Sequence, residues 1–195
     1  YFKLLNYHKI LIKRAEGVYC YDQNNEKILD FAGGVGSLGL GHNHPRIIKV
    51  REQFRKMKKH QIGPYFFSQY IAALSKNLAT ISPGDLNIVI LGNVGSEAIE
   101  NAVKIVEKFQ GPEKNKLIYT KNAFHGRTKG ALSITDSKAL KSTFRLIEGD
   151  YIVDFNKVDQ IVELLSKNND IGGVVLESIQ GGAGVIIPKN GYLKK

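Results

Sequence analysis

Three stretches of the chain set groups able to handle an anion, a flat ring or a carboxylate beside glycine-rich turns. The first is Leu86-Asn87-Ile88-Val89-Ile90-Leu91-Gly92-Asn93-Val94-Gly95-Ser96-Glu97-Ala98, an apolar run, a tight turn and a helix start. The free N–H groups and the dipole at such a start form a cup suited to phosphate. Gly95 allows close backbone approach, and the Ser96 hydroxyl can add a hydrogen bond. The plainer reading is that Gly-Ser starts many helices simply because these residues cap well. The spacing fits neither the Walker ending nor the dinucleotide-binding fingerprint.

The second stretch is Asn122-Ala123-Phe124-His125-Gly126-Arg127-Thr128, directly after the apolar run Leu117–Thr120. The Phe124 ring can stack on a flat aromatic ligand, and Arg127 can grip a carboxylate with two parallel bonds. A core plug and a surface cation are the competing readings of these two residues. The third stretch, Val174–Gly184, ends an apolar strand on Glu177 next to glycines. An ionised carboxylate there needs a partner or loses hydration energy. A surface glutamate at a strand exit is the alternative.

These residues need a scaffold that carries them to one place. Short apolar runs at Leu86–Leu91, Lys116–Thr120 and Ile171–Ser178 alternate with helices to about Phe109, near Ser137–Phe144 and at Asn156–Lys167. That order predicts a mainly parallel sheet with helices on both faces, an α/β architecture whose ligand crevice lies at the strands' C-terminal ends. On the helix after Ser96, Ile99, Ala102, Val103, Val106 and Phe109 mark the buried face. Upstream, Gly17–Asp30 reads as a hairpin, Gly33–Gly41 as a glycine-rich loop, and Pro45 as the first residue of a helix. Another helix spans Gln69–Thr80.

With 43% hydrophobic residues among 195, the chain can bury a sizeable core. No apolar stretch approaches the roughly 18 residues that a membrane span needs, so no membrane partner is expected. The formal charge of +10 concentrates in Arg51–Lys59, read as a solvated helix face rather than a nucleic-acid surface. Cys20, the sole cysteine, cannot form an intrachain disulfide. It is expected to pack in a strand, and a reducing cytoplasm is the default. The chain starts at Tyr1 without a methionine or a signal-peptide pattern, which suggests a trimmed front.

Taken together, Asn93-x-Gly95-Ser96-Glu97-Ala98-x-Glu100, Phe124-His125-Gly126-Arg127-Thr128 and Glu177-x-x-Gln180-Gly181 resemble successive signature blocks of the class III aminotransferases. Gly17-Val18-Tyr19, Leu29-Asp30-Phe31 and Gly41-His42-x-His44-Pro45 agree in order, so the resemblance runs from about Gly17 to Leu193. It implies the aspartate aminotransferase-like fold of pyridoxal-phosphate (PLP) enzymes. Residues 1–60 would belong to the small domain, and 61–195 to the first part of the large, cofactor-binding domain. It also implies roles. Gly95 and Ser96 would bind the PLP phosphate, Phe124 would stack on the pyridine ring, and His125 would wall the cofactor. Arg127 would meet a substrate carboxylate, and Glu177 would join the network of hydrogen bonds near the cofactor. The reaction would move an amino group from an amine or ω-amino acid to a 2-oxo acid. The closest rival is a PLP racemase of the same fold, and the rival from another class is a non-catalytic scaffold.

The resemblance puts the lysine that holds PLP, and the aspartate that pairs with its ring nitrogen, beyond Lys195. Val94 stands where the family has serine or threonine, Gly182 where ornithine, acetylornithine and 4-aminobutyrate enzymes carry glutamate, and Val35 where ornithine enzymes have tyrosine. A metal site at His42 and His44 is not expected, for want of acidic or cysteine co-ligands. A homodimer is expected, with the aromatic strip Ile62–Phe67 as a candidate interface.

Overall fold

The computed structural model describes residues 10–59 and 66–194. They fall into two compact units that divide between Phe67 and Ser68.

The first unit carries an antiparallel sheet of three strands in the order β1 (Ile12–Glu16), β2 (Tyr19–Asp22), β3 (Lys27–Leu29). The expected hairpin is β2–β3, and Asp22 closes its turn by accepting bonds from the amides of Asn24 and Glu26 at 2.8 Å each. The sequence reading missed β1, whose charged Lys13, Arg14 and Glu16 hide the apolar alternation that marks a strand. The loop Gly33–Gly36 forms a short helical turn (α1) in which Gly34 and Val35 both take left-handed backbone angles. Pro45 opens the helix α2 (Pro45–Lys56) as expected. Its basic residues are exposed, but so are Ile47, Val50 and Phe54. Of the aromatic strip, residues 62–65 lie outside the described residues, while Phe66 and Phe67 are exposed.

The second unit begins with α3 (Gln69–Ile81), where the Ser68 hydroxyl accepts from the Ile71 amide. The long helix α4 (Gly95–Gln110) follows, then β4 (Lys116–Thr120), two short helices α5 (Lys129–Ser133) and α6 (Lys138–Lys141), β5 (Tyr151–Val153), α7 (Val158–Lys167) and β6 (Ile171–Val174). The three strands form a parallel sheet in the order β5-β4-β6. Alternation along β4 sends Leu117 and Tyr119 to one face, where Val103, Ile99 and Val106 of α4 pack with Ile134. Ile118 goes to the other face, against Val153, Ile171 and the α7 residues Ile161 and Leu164. The sheet is therefore covered on both sides, as predicted.

Several boundaries differ. Leu86–Leu91, expected as a strand, is not one: no described segment pairs with it, and Ile88 and Ile90 are 85% and 57% exposed. A strand exists only through a partner's ladder, which an apolar run cannot supply for itself. The buried face of α4 is also narrower than expected, since Ala102 and Phe109 are exposed. The ladder of β6 stops at Val174, although the Val175 amide still donates to the Ile118 carbonyl at 2.8 Å. Gly172 and Gly173 let β6 lie close under α4 and the loop that follows it. A methyl at Gly172 would sit 2.2 Å from the Lys114 carbonyl oxygen, and one at Gly173 would sit 3.2 Å from Val106 Cγ1. Near the last described residues, Tyr192 is buried and meets the Phe155 ring edge-on, with centroids 5.1 Å apart.

Candidate active site

The helix α4 starts without a side-chain cap, because Val94 in the N-cap position has no oxygen to offer. The Val94 carbonyl takes the Glu97 and Ala98 amides, so the Gly95 and Ser96 amides have no partner among the described residues. A methyl placed on Gly95 would touch nothing within 4 Å among the described residues. Glu97 folds back to accept from the Asn93 amide at 2.6 Å and fixes the turn before the helix. Two oriented donors at the positive end of a 16-residue helix fit an anion of phosphate size.

The loop after β4 lies against this helix start. The Arg127 amide donates to Ser96 Oγ at 3.4 Å, and Gly126 sits so close that an added methyl would be 2.4 Å from that oxygen. Thr135, fully buried, is the hub of the loop. Its hydroxyl oxygen accepts from the amides of His125 (2.9 Å) and Gly126 (3.2 Å), and its own proton can go to the carbonyl of Ala131 or Gly126. Glu100, one turn into α4, holds the far end of the loop. Its Oε1 accepts from Thr128 Oγ1 at 2.6 Å and from the Gly130 and Ala131 amides at 2.9 and 3.1 Å. The Thr128 hydroxyl first, then those amides, hold the Glu100 carboxyl below its ordinary 4.5.

His125 is buried, and its Nε2 has no hydrogen-bond partner among the described residues. Desolvation holds the imidazole below its ordinary 6.5, so it stays neutral at physiological pH. Phe124, next to it in sequence, is 48% exposed. The Phe124 amide donates to Glu177 Oε2 at 3.2 Å, and the Gly181 amide donates to the other oxygen at 3.4 Å. Glu177 thus ties the third stretch to the second. Gln180 completes the tie: fully buried, its Nε2 donates to Thr120 Oγ1 at 3.1 Å and to the Lys121 carbonyl at 2.8 Å. Arg127 is exposed. With Lys129 and Arg145 over Leu132, Phe144 and Leu146 it lines a cavity of about 200 Å³.

All six residues singled out by sequence therefore lie on connected segments at the C-terminal end of β4 and β6 and the start of α4. Sequence reasoning missed Thr135 and underused Glu100 and Gln180. The Glu100 and Gln180 positions stood within the quoted blocks, but Thr135 carries no local signal.

A protein-family model described as aminotransferase class III matches residues 4–195. The chain belongs to the class III aminotransferases. It is 35% identical over 190 residues to an acetylornithine aminotransferase of Clostridium acetobutylicum, covering 95% of this chain and 48% of that protein. It is 34% identical to a putative [LysW]-aminoadipate semialdehyde/glutamate semialdehyde transaminase of Pyrococcus horikoshii, covering 95% and 49%. An ornithine aminotransferase structure from Toxoplasma gondii, with PLP partly occupying its active site, superposes with a TM-score of 0.85 at 30% identity, over 97% of this chain and 46% of that one. The chain thus spans about half the length of these relatives. The fold is that of the PLP-dependent transaminases.

Against that class III background, the residues present suit the cofactor. The unpaired amides at Gly95 and Ser96, the half-free Phe124 ring and the orphaned buried nitrogen of His125 are each what a flat, phosphate-bearing ligand would engage. The departure at Val94 removes one hydroxyl from the turn but leaves the backbone donors in place. At Gly182, the nearest neighbour of an added methyl is Phe124 Cβ at 3.5 Å, so a side chain here would lie beside the Phe124 residue.

Proposed function

We propose that the complete protein is a PLP-dependent transaminase that moves an amino group from an amine or ω-amino acid to a 2-oxo acid. The observation that carries this reading is the convergence of three loops. The Arg127 amide bonds Ser96, and the Phe124 amide bonds Glu177, so phosphate cup, stacking ring and carboxylate form one connected wall. PLP, when bound, supplies the electron sink of the reaction, and the protein supplies binding and orientation. The Gly95 and Ser96 amides with the Ser96 hydroxyl would hold the phosphate. Phe124 would cover the ring, and neutral His125 would wall it. Glu177 would keep the loop in register. Arg127, in a cavity with two further cations and an apolar floor, suits a substrate carboxylate. The lysine that holds the cofactor lies, on this reading, outside residues 1–195. Dimerisation and a cytoplasmic setting belong to the same reading. Neither racemase nor scaffold is favoured by a specific observation.

The test is a titration of the complete protein with PLP, followed by visible absorbance and by turnover of ω-amino acids with a 2-oxo acid. Phe124→Ala should weaken PLP by about 0.5–1.5 kcal/mol beyond the loss of buried area. Unchanged affinity in that variant would remove the stacking role. Failure of the unmodified protein to bind PLP would remove the whole reading.

A further inference from the structure

The first unit brings together three side chains that the sequence keeps apart. Cys20 lies in the middle of β2, Asp30 just after β3, and His42 at the end of the glycine-rich segment. His42 Nε2 stands 2.7 Å from Asp30 Oδ2 and 3.6 Å from Cys20 Sγ. One ligand atom from each lies within 4.8 Å of both others. The co-ligands that the sequence reading found lacking around His42 are therefore present, supplied by the sheet rather than by neighbouring residues.

The backbone sets this arrangement before any ligand arrives. His42 exchanges two bonds with Gly17, its amide donating at 2.7 Å and its carbonyl accepting at 2.9 Å, three residues from Cys20. Gly41 permits that approach, since a methyl there would be 2.6 Å from the Gly17 carbonyl oxygen, and its φ of +77° suits glycine. The Asp30 amide donates to the Val18 carbonyl at 2.9 Å. Asp30 Oδ1 is occupied by the amides of Ala32 and Gly33, both at 2.9 Å, which aims Oδ2 at His42. The His42 and Asp30 side chains are 21% and 15% exposed, shielded yet reachable.

From this geometry we propose that Cys20, Asp30 and His42 form a binding site for a zinc-type divalent transition metal. Thiolate, imidazole and carboxylate together are the donor set of zinc and cobalt, whereas calcium and magnesium take oxygen alone. Zinc bonds of about 2.0–2.3 Å in a tetrahedron place ligand atoms roughly 3.3–3.8 Å apart, which the sulfur–nitrogen distance already meets. The shorter His42–Asp30 contact is a hydrogen bond that the ion would replace, and the two side chains need to part by about half an ångström. Binding expels the thiol proton to solvent and leaves the imidazole with its one proton on Nδ1. Affinity therefore falls as pH is lowered. With three protein ligands, the fourth position is open to water. A metal held here would clamp β2, the end of β3 and the lead into α2.

The test uses the complete protein without a histidine tag, freed of metal with chelator and then titrated with Co²⁺. One equivalent should give an intense thiolate-to-cobalt charge-transfer band in the near ultraviolet, with visible bands of a four-coordinate ion. Zinc should abolish both by displacement. Cys20→Ser should lose the charge-transfer band, and Asp30→Asn should weaken cobalt binding at least tenfold. No band in the unmodified protein, or a band that survives Cys20→Ser, would overturn the proposal. Should a variant fail to fold, the unmodified protein still decides. Zinc should slow iodoacetamide labelling of Cys20, followed by peptide mass spectrometry, at least tenfold. Equal labelling with and without zinc would count against the site.

Discussion

At the scale of single residues, the loop after β4 is held by contacts too tight for substitution. Gly126 has a φ of +142°, and a methyl there would come within 2.4 Å of Ser96 Oγ and 2.9 Å of Ala131 Cβ. Gly126→Ala is expected to destabilise by roughly 1–3 kcal/mol through strain and overpacking, and to weaken PLP binding with it. Denaturant midpoints and a cofactor titration measure both. An unperturbed midpoint would show that the loop has room the geometry denies. Thr135→Val keeps the shape but strands the His125 and Gly126 amides, at a cost of about 1–3 kcal/mol. His125 adds a pH signature. Its folded value is depressed below the ordinary 6.5, so the unfolded chain binds the proton first. Stability is unaffected by this group well above 6.5 and falls as pH drops below it. His125→Leu should flatten that acid-side slope, as read from unfolding at a series of pH values.

At the scale of elements, Glu100 joins α4 to the start of α5. A five-residue helix cannot satisfy its own first amides, and the carboxylate from a neighbouring helix does it instead. Gly130 is required beneath it, since a methyl would be 2.4 Å from Glu100 Oε2. Glu100→Ala is expected to cost about 1–3 kcal/mol and to loosen the Thr128–Ala131 turn, visible as faster amide exchange there. The carboxyl's depressed value means this contribution is present above about 4.5 and is lost as pH falls through the folded value. Glu100→Gln should remove that pH dependence while retaining part of the stability. Equal acid sensitivity in the two proteins would rule the carboxylate out as its source.

At the scale of the whole molecule, the second unit shows apolar surface that its own described residues do not cover. Leu86, Ile88 and Ile90 are 64%, 85% and 57% exposed in a segment without a ladder. Unpaired apolar backbone of this kind is a candidate pairing edge. Residues 1–195 expressed alone are therefore expected to bind a hydrophobic dye and to self-associate at micromolar concentration. They should also be inactive with an ω-amino acid, a 2-oxo acid and PLP, because no lysine among them matches the one that holds the cofactor. A monodisperse, dye-silent preparation, or turnover above that of free PLP, would contradict this expectation.

What the sequence determined by itself was local or periodic. The helix start at Gly95, the proline entry at Pro45, the β2–β3 hairpin and the parallel order of β4 and β6 follow from turn chemistry and apolar spacing. So do the three blocks holding Ser96, Phe124 and Glu177, because a short motif carries its own signature. The tertiary structure decided whatever depends on a partner distant in sequence. Leu86–Leu91 reads as a strand, yet a strand needs a neighbour to accept its hydrogen bonds. Thr135 became a hub only because the chain returns to His125 after ten residues. Cys20, Asp30 and His42 meet because Gly41 lets its backbone touch that of Gly17, and spacing along the chain encodes no such contact.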